Sequence, residues 1–191
     1  MKIEPSKARY IVENLASGIK ITIPTAKNWF VILFLCAWLG GWFFGFTSAS
    51  DELLNSNNKT PSGFLSFWLF GWTLGGIAVC FTILWQLFGR EVIEVANGSL
   101  IRRILIGGIG LNREYDFSHI QALRVSQMDV AASHMARWSP APFGRTAGAI
   151  AFDYGSRTIR FGSYLDEAEA KGLIEQLKPF MPIMLLRMLD R

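Results

Sequence analysis

Charge is what this chain has least of. Only 18% of its 191 residues are Asp, Glu, Lys or Arg, against about a quarter in an ordinary soluble domain. The deficit is local: 23 consecutive residues between Lys27 and Asp51, and 30 between Lys59 and Arg90, carry no formal charge. Cysteine and histidine are scarce too, at two each. Cys36 and Cys80 cannot build a disulfide framework, and without His or carboxylate companions they make a poor metal site. There is no phosphate-loop lysine, no Cys-x-x-Cys and no pair of carboxylates in a recognisable catalytic frame. These absences exclude a single soluble globule, a disordered chain and a disulfide-rich secreted module.

What fills the uncharged blocks is apolar and aromatic. About 20 apolar residues in a helix cross ~30 Å of hydrocarbon. The run from Trp29 to about residue 47 and the run Phe64–Phe88 both meet that length, and residues 29–89 read as a transmembrane hairpin with a short external loop. The first span is too long, and starts too far along the chain, for a signal peptide. Orientation follows from the basic residues. Residues 1–28 carry five positive and two negative charges, the loop between the spans is net −1, and Arg90, Arg102, Arg103 and Arg113 follow the second span. Both termini are therefore expected on the cytoplasmic side, with Lys27, Trp29 and Arg90 as membrane-interface anchors. Gly41 with Gly45, and Gly71 with Gly75, form small-xxx-small pairs at matching depths, and close helix packing is expected there.

In the polar segment 1–28, Ser6–Leu15 reads as a short helix. Ile19–Ile23 alternates apolar and polar residues with the period of a half-buried strand. From Arg90 the pattern becomes β-type. Strands are expected at 90–96 and 99–106 around Asn97-Gly98, a strong hairpin signal. Others follow at 111–117, 121–127, 148–153 and 157–162. Residues 129–147 read as a long loop. Asp166 opens a helix with Glu169 as its capping-box partner and Leu173, Ile174 and Leu177 on one stripe.

Two membrane helices followed by GREVIEVANGSLIRR, DFSHIQALRV, GAIAFDYGSRTIRFGS and a final helix resemble the bacterial two-helix membrane proteins with a pleckstrin-homology-like domain. The layout is also similar to that of photosystem I assembly proteins, and the likeness covers residues ~19–178. It implies an α+β membrane protein: a helical hairpin, then a small antiparallel β domain over 90–191 with a C-terminal helix. That fold has seven strands and a capping helix. Only six strands follow the membrane, so Ile19–Ile23 is expected to complete the sheet from the same side.

No reaction is named by these residues. Asp116, Ser118 and His119 are adjacent on an expected strand, where neighbouring side chains point to opposite faces and cannot form a relay. Gly108-x-Gly110 begins a dinucleotide fingerprint, but position 113 is Arg and a strand follows. No catalytic, cofactor or metal residues are assigned. The pI of about 9.3 does not signal nucleic-acid binding, because residues 90–191 are net +2 with both signs mixed. Arg102, Arg103, Arg113, Arg157 and Arg160 are the candidates for an anion or lipid-headgroup patch. The expected function is a non-enzymatic protein of the bacterial inner membrane, whose cytoplasmic domain docks membrane-associated proteins near the bilayer, in assembling or stabilising a membrane complex. The alternative is an anchored module that binds anionic lipid headgroups. Lipids, other membrane proteins and copies of itself are the partners.

Overall fold

A computed structural model describes residues 9–55, 62–126 and 148–182. The loop expected at 129–147 and His134 lie outside the described residues. The described chain divides into two compact units, one of residues 27–87 and one combining residues 1–26 with 88–191.

The helical unit contains α1 (Trp29–Asn55) and α2 (Ser62–Phe88), each of 27 residues. Both are long and apolar enough to cross a membrane. The Asn28 side chain accepts from the Val31 amide and caps the start of α1. That helix runs eight residues past the end expected for it. Thr47, Ser48 and Ser50 return their hydroxyls to carbonyls one turn back, so their polar groups are satisfied within the helix. Almost none of either apolar stretch is covered: Phe30, Phe44 and Phe67 are each about three-quarters exposed.

The two helices run antiparallel through reciprocal notches. Trp42 of α1 lies over Gly76 of α2, where an added Cβ would meet its ring at 2.5 Å; Trp72 of α2 lies over Gly45, where the distance would be 3.0 Å. The two indoles meet edge to face at 6.3 Å. Gly41, Gly71 and Gly75 have open space instead. Of the expected glycine pairs, only Gly45 makes a close approach, and its partner is an indole. Large rings fill the space between the helices, so glycine is needed only where a ring lands.

The second unit is built of two antiparallel sheets. Strands β1 (Ile11–Leu15), β2 (Gly18–Pro24), β3 (Gly89–Ala96), β4 (Ser99–Ile106) and β5 (Ile109–Asp116) lie in that order in the first. Strands β6 (Ile120–Val125), β7 (Ile150–Tyr154) and β8 (Arg157–Phe161) form the second. The Ile19–Ile23 run joins the sheet as expected, pairing with β3 from Gly18 opposite Ala96 to Pro24 opposite Arg90. The chain thus leaves the sheet at Pro24, passes through both helices and returns at Gly89 into the neighbouring strand. Thr25 closes this junction, donating from its amide and its hydroxyl to the Gly89 carbonyl.

Residues 11–15 form a strand rather than part of a helix. Pairing with β2 through the Ala16-Ser17 turn outweighs the local helical preference, and β-branched Ile11 and Val12 suit it. Asn97-Gly98 makes the expected two-residue turn with φ of 51° and 79°. Gly107-Gly108 makes another, so β5 starts at Ile109, two residues earlier than expected. A bulge at Ala122, φ 48°, separates Gln121 from Arg124 in β6.

Helix α3 (Glu167–Leu177) carries the expected capping box, with Asp166 and Glu169 each accepting the other's amide. Glu169 also accepts the Arg9 amide, tying the N-terminal segment to this helix. Both sheets and α3 enclose one core of Ile19, Ile21, Ile93, Leu100, Phe152, Phe161, Leu173, Leu177 and their neighbours.

Candidate anion-binding site

The site follows from strand parity. On one face of the first sheet, β4 presents Leu100, Arg102, Ile104 and Ile106, opposite Tyr115, Arg113, Leu111 and Ile109 of β5. Leu100 and Tyr115 are buried in the core, where Tyr115 meets the rings of Phe152 and Tyr154, each at 5.2 Å. One step along the face, Arg102 stands directly opposite Arg113. On β8 the core-facing series Phe161, Ile159, Arg157 likewise ends in arginine. Strands β5 and β8 are each the last of their sheet among the described residues. Between them opens a cleft of about 370 Å³, lined by Arg102, Arg113, Tyr115, Arg157, Thr158, Ile159 and Arg160.

Four of the five candidate arginines therefore converge. Arg103 does not: it follows Arg102 on a strand, points to the opposite face and pairs with Glu94 at 3.0 Å. The patch as expected from sequence is corrected in that one member.

Glu91 is the counter-ion of the cleft. It is only 6% exposed, holds Arg102 Nε at 2.6 Å, and accepts the Gly162 amide with its other oxygen. Neither Arg113 nor Arg157, both exposed, has a carboxylate within ion-pair distance among the described residues. Like charges directly opposite on a sheet face are destabilising; Glu91 offsets the Arg102–Arg113 opposition from the Arg102 side, and an anion beside Arg113 would offset it further.

The wall behind Thr158 is fixed by Asp153. Its carboxylate takes both terminal nitrogens of Arg124, at 2.8 and 3.2 Å, and the Thr158 hydroxyl at 2.6 Å. Bonds from Arg124 and then Thr158 hold the Asp153 carboxyl below its ordinary range.

No protein-family model, curated protein or solved structure matches this chain. The assignment of the cleft therefore rests on its own geometry.

Asp116, Ser118 and His119 touch one another, contrary to the sequence expectation, because they lie in a 3-10 turn (Phe117–His119) capped by Asp116. The Ser118 amide and hydroxyl both donate to Asp116 Oδ1, and the hydroxyl oxygen is 2.9 Å from His119 Nδ1. The Ser118 bonds keep the Asp116 carboxyl low. With Asp116 accepting from both the amide and the hydroxyl of Ser118, the three residues form a capped turn. No group of three or more His, Cys, Asp or Glu suited to a metal occurs among the described residues. Lys27, Trp29 and Arg90 are all exposed beside the helix ends.

Glu91, Tyr115, Thr158 and Ile159 were not singled out from sequence. For Glu91 the signal was present: it shares the alternation of buried Ile93 and Val95 and so had to face inward.

Proposed function

We propose that this protein is a membrane-anchored module that binds the phosphate group of anionic lipid. Helices α1 and α2 cross the bacterial inner membrane, and the β unit lies on the cytoplasmic side as a pleckstrin-homology-like domain. The observation that carries this reading is the convergence of Arg102, Arg113, Arg157 and Arg160 on one cleft in which neither Arg113 nor Arg157 has a carboxylate within ion-pair distance among the described residues. Guanidinium forks suit phosphate oxygens. The seven strands β2 to β8 followed by α3 support the fold reading, since that is the strand count the resemblance implies. Their division into four and three sets β1 aside as an extra edge strand. The function is non-enzymatic.

The test is thermal unfolding of the purified full chain with short-chain phosphatidylglycerol, short-chain phosphatidylcholine or inorganic phosphate. A ligand at a hundred times its Kd stabilises the folded state by about 2.7 kcal/mol, or roughly 5–10 °C for a chain of this size. Phosphatidylglycerol is expected to raise the midpoint of the native chain but not that of Arg113→Glu/Arg157→Glu. Equal stabilisation by phosphatidylcholine, or an undiminished effect in the double variant, refutes the reading. Stabilisation by inorganic phosphate as large as by the lipid assigns the cleft to a soluble anion.

A second reading, docking of a protein partner, is favoured by β1. All five of its residues are exposed at the edge of the sheet, including Ile11, Val12 and Leu15, and such an edge accepts a further strand. Crosslinking in native membranes from a photoreactive residue at Val12 tests it; adducts confined to lipid and to the chain itself count against it.

A further inference from the structure

We infer that the tip of the β4–β5 hairpin is a third membrane contact, dipping into the lipid surface so that the arginine cleft meets the headgroup phosphates. Ile109 is 85% exposed and Leu111 51%, so both aliphatic side chains beside this two-residue turn stand outside the domain core. Both lie on the face that carries Arg113, with Ile104 and Ile106 opposite them on β4.

The strand register says which end of the sheet this is. Pro24 pairs with Arg90, Arg90 with Leu105 and Leu105 with Gly110; Gly89 pairs with Ile106, and Ile106 with Ile109. The Gly107 amide donates to the Phe88 carbonyl, at the last residue of α2. The exposed aliphatic tip therefore stands at the end of the sheet where the chain departs for α1 and returns from α2. The opposite end, at Gly18, Ala96, Ser99 and Asp116, has no such continuity.

Spacing along the face completes the argument. At about 3.4 Å per residue, Arg113 is roughly 7 Å from Leu111 and 14 Å from Ile109. The polar layer on each side of a bilayer is about 5–8 Å thick. Seating Leu111 at the hydrocarbon boundary puts Ile109 below it and the Arg102/Arg113 pair at phosphate level. An aliphatic tip with guanidiniums one headgroup layer above it matches a lipid surface, whereas a soluble protein partner would need no such order along the strand. This inference rests on α1 and α2 spanning the membrane.

Site-directed spin labelling of the full chain in phosphatidylcholine–phosphatidylglycerol vesicles tests it. Single labels are placed at Ile109→Cys, at Glu114→Cys nearer the far end of the same strand, and at native Cys36 in α1, with Cys80 and otherwise Cys36 changed to Ala. Ile109 and Glu114 are exposed, so the labels leave the core alone. The ratio of oxygen to nickel-chelate accessibility is expected to be several-fold higher at 109 and 36 than at 114. A water-like ratio at 109 with a lipid-like one at 36 overturns this inference while keeping the spanning reading. A water-like ratio at 36 overturns both. A label at 109 shielded from both reagents points to a second copy covering the tip and also overturns the inference.

Discussion

Removing both helices should leave a folded domain, provided β2 is kept. Strand β2 pairs with β3 over its whole length and buries Ile19, Ile21 and Ile23 at 3%, 0% and 1% exposure. At about 1.5–3 kcal/mol for each fully buried aliphatic side chain, the three contribute roughly 5–9 kcal/mol. That equals much of the 5–15 kcal/mol by which a typical domain is stable. The Arg9 amide bond to Glu169, and Tyr10 packed against the core, add to the loss if the segment is cut away. Two polypeptides make the comparison. The first is residues 90–191 alone. The second joins residues 9–26 to residues 88–191 through a turn of about four residues, which the Thr25–Gly89 hydrogen bonds show is enough to close a hairpin. Circular dichroism melting of the joined chain is expected to give one cooperative transition, and residues 90–191 none above room temperature. If residues 90–191 melt cooperatively at the midpoint of the joined chain, β2 is dispensable and the inserted-hairpin description fails.

Three further outcomes follow from particular contacts. In detergent, Gly76→Leu forces Trp42 from its notch and is expected to lower the full chain's melting midpoint by an amount equivalent to about 1–3 kcal/mol. Gly71→Leu, whose added carbon meets nothing, serves as the control, and equal losses from both would refute the notch. Glu91→Gln removes the counter-ion of a mostly buried arginine, a loss that reaches about 3–5 kcal/mol for fully buried pairs and less beside an open cleft. It also leaves Arg102 free for an anion, so stability should fall while phosphatidylglycerol affinity rises; a fall in both contradicts the role given to Glu91. Asp153→Asn probes acid sensitivity. The folded-state carboxyl is held low, so the unfolded chain binds the proton more readily. The stabilisation is thus present above the unfolded value near 3.9 and is lost as pH falls through the folded value. For an exposed pair it amounts to about 0.2–1 kcal/mol. The gap in melting midpoint between native chain and variant should be widest near neutral pH and begin to narrow as pH falls below about 4; a gap independent of pH refutes the assignment.

How much of this was legible in the sequence depended on whether the governing pattern was local. Ile19, Ile21 and Ile23 announced a strand by alternation alone, Asn97-Gly98 announced a turn by backbone chemistry, and Asp166 with Glu169 announced a helix start. Each signal is complete within a few residues. The notch glycines were not readable in that way. When a helix is apolar all round, hydropathy carries no rotational phase, and nothing local separates Gly76 from its neighbour Gly75. Only the landing points of Trp42 and Trp72 decide which glycines are needed. The helix expected at Ser6–Leu15 failed for a related reason. Its competitor was pairing with β2, a partner that local propensity ignores.

The cleft stands between these cases, and its partial legibility has a physical cause. Each half was written locally. Period-two alternation puts Arg102 with Leu100 and Ile104 and excludes Arg103, and it puts Arg157 with Ile159 and Phe161. The meeting of the halves was not, because β5 and β8 do not pair with each other; among the described residues they are the last strands of two sheets that share one core. At such a seam the core-facing rows diverge, and side chains beyond the last apolar layer reach water while still facing one another. Arginine suits that position because a long aliphatic stem can cover apolar surface while the charged head stays hydrated. The same residues would be an ordinary solvated strand surface if either row shifted register by one. What makes the arginines a site is thus the agreement of two independent strand registers with one shared core.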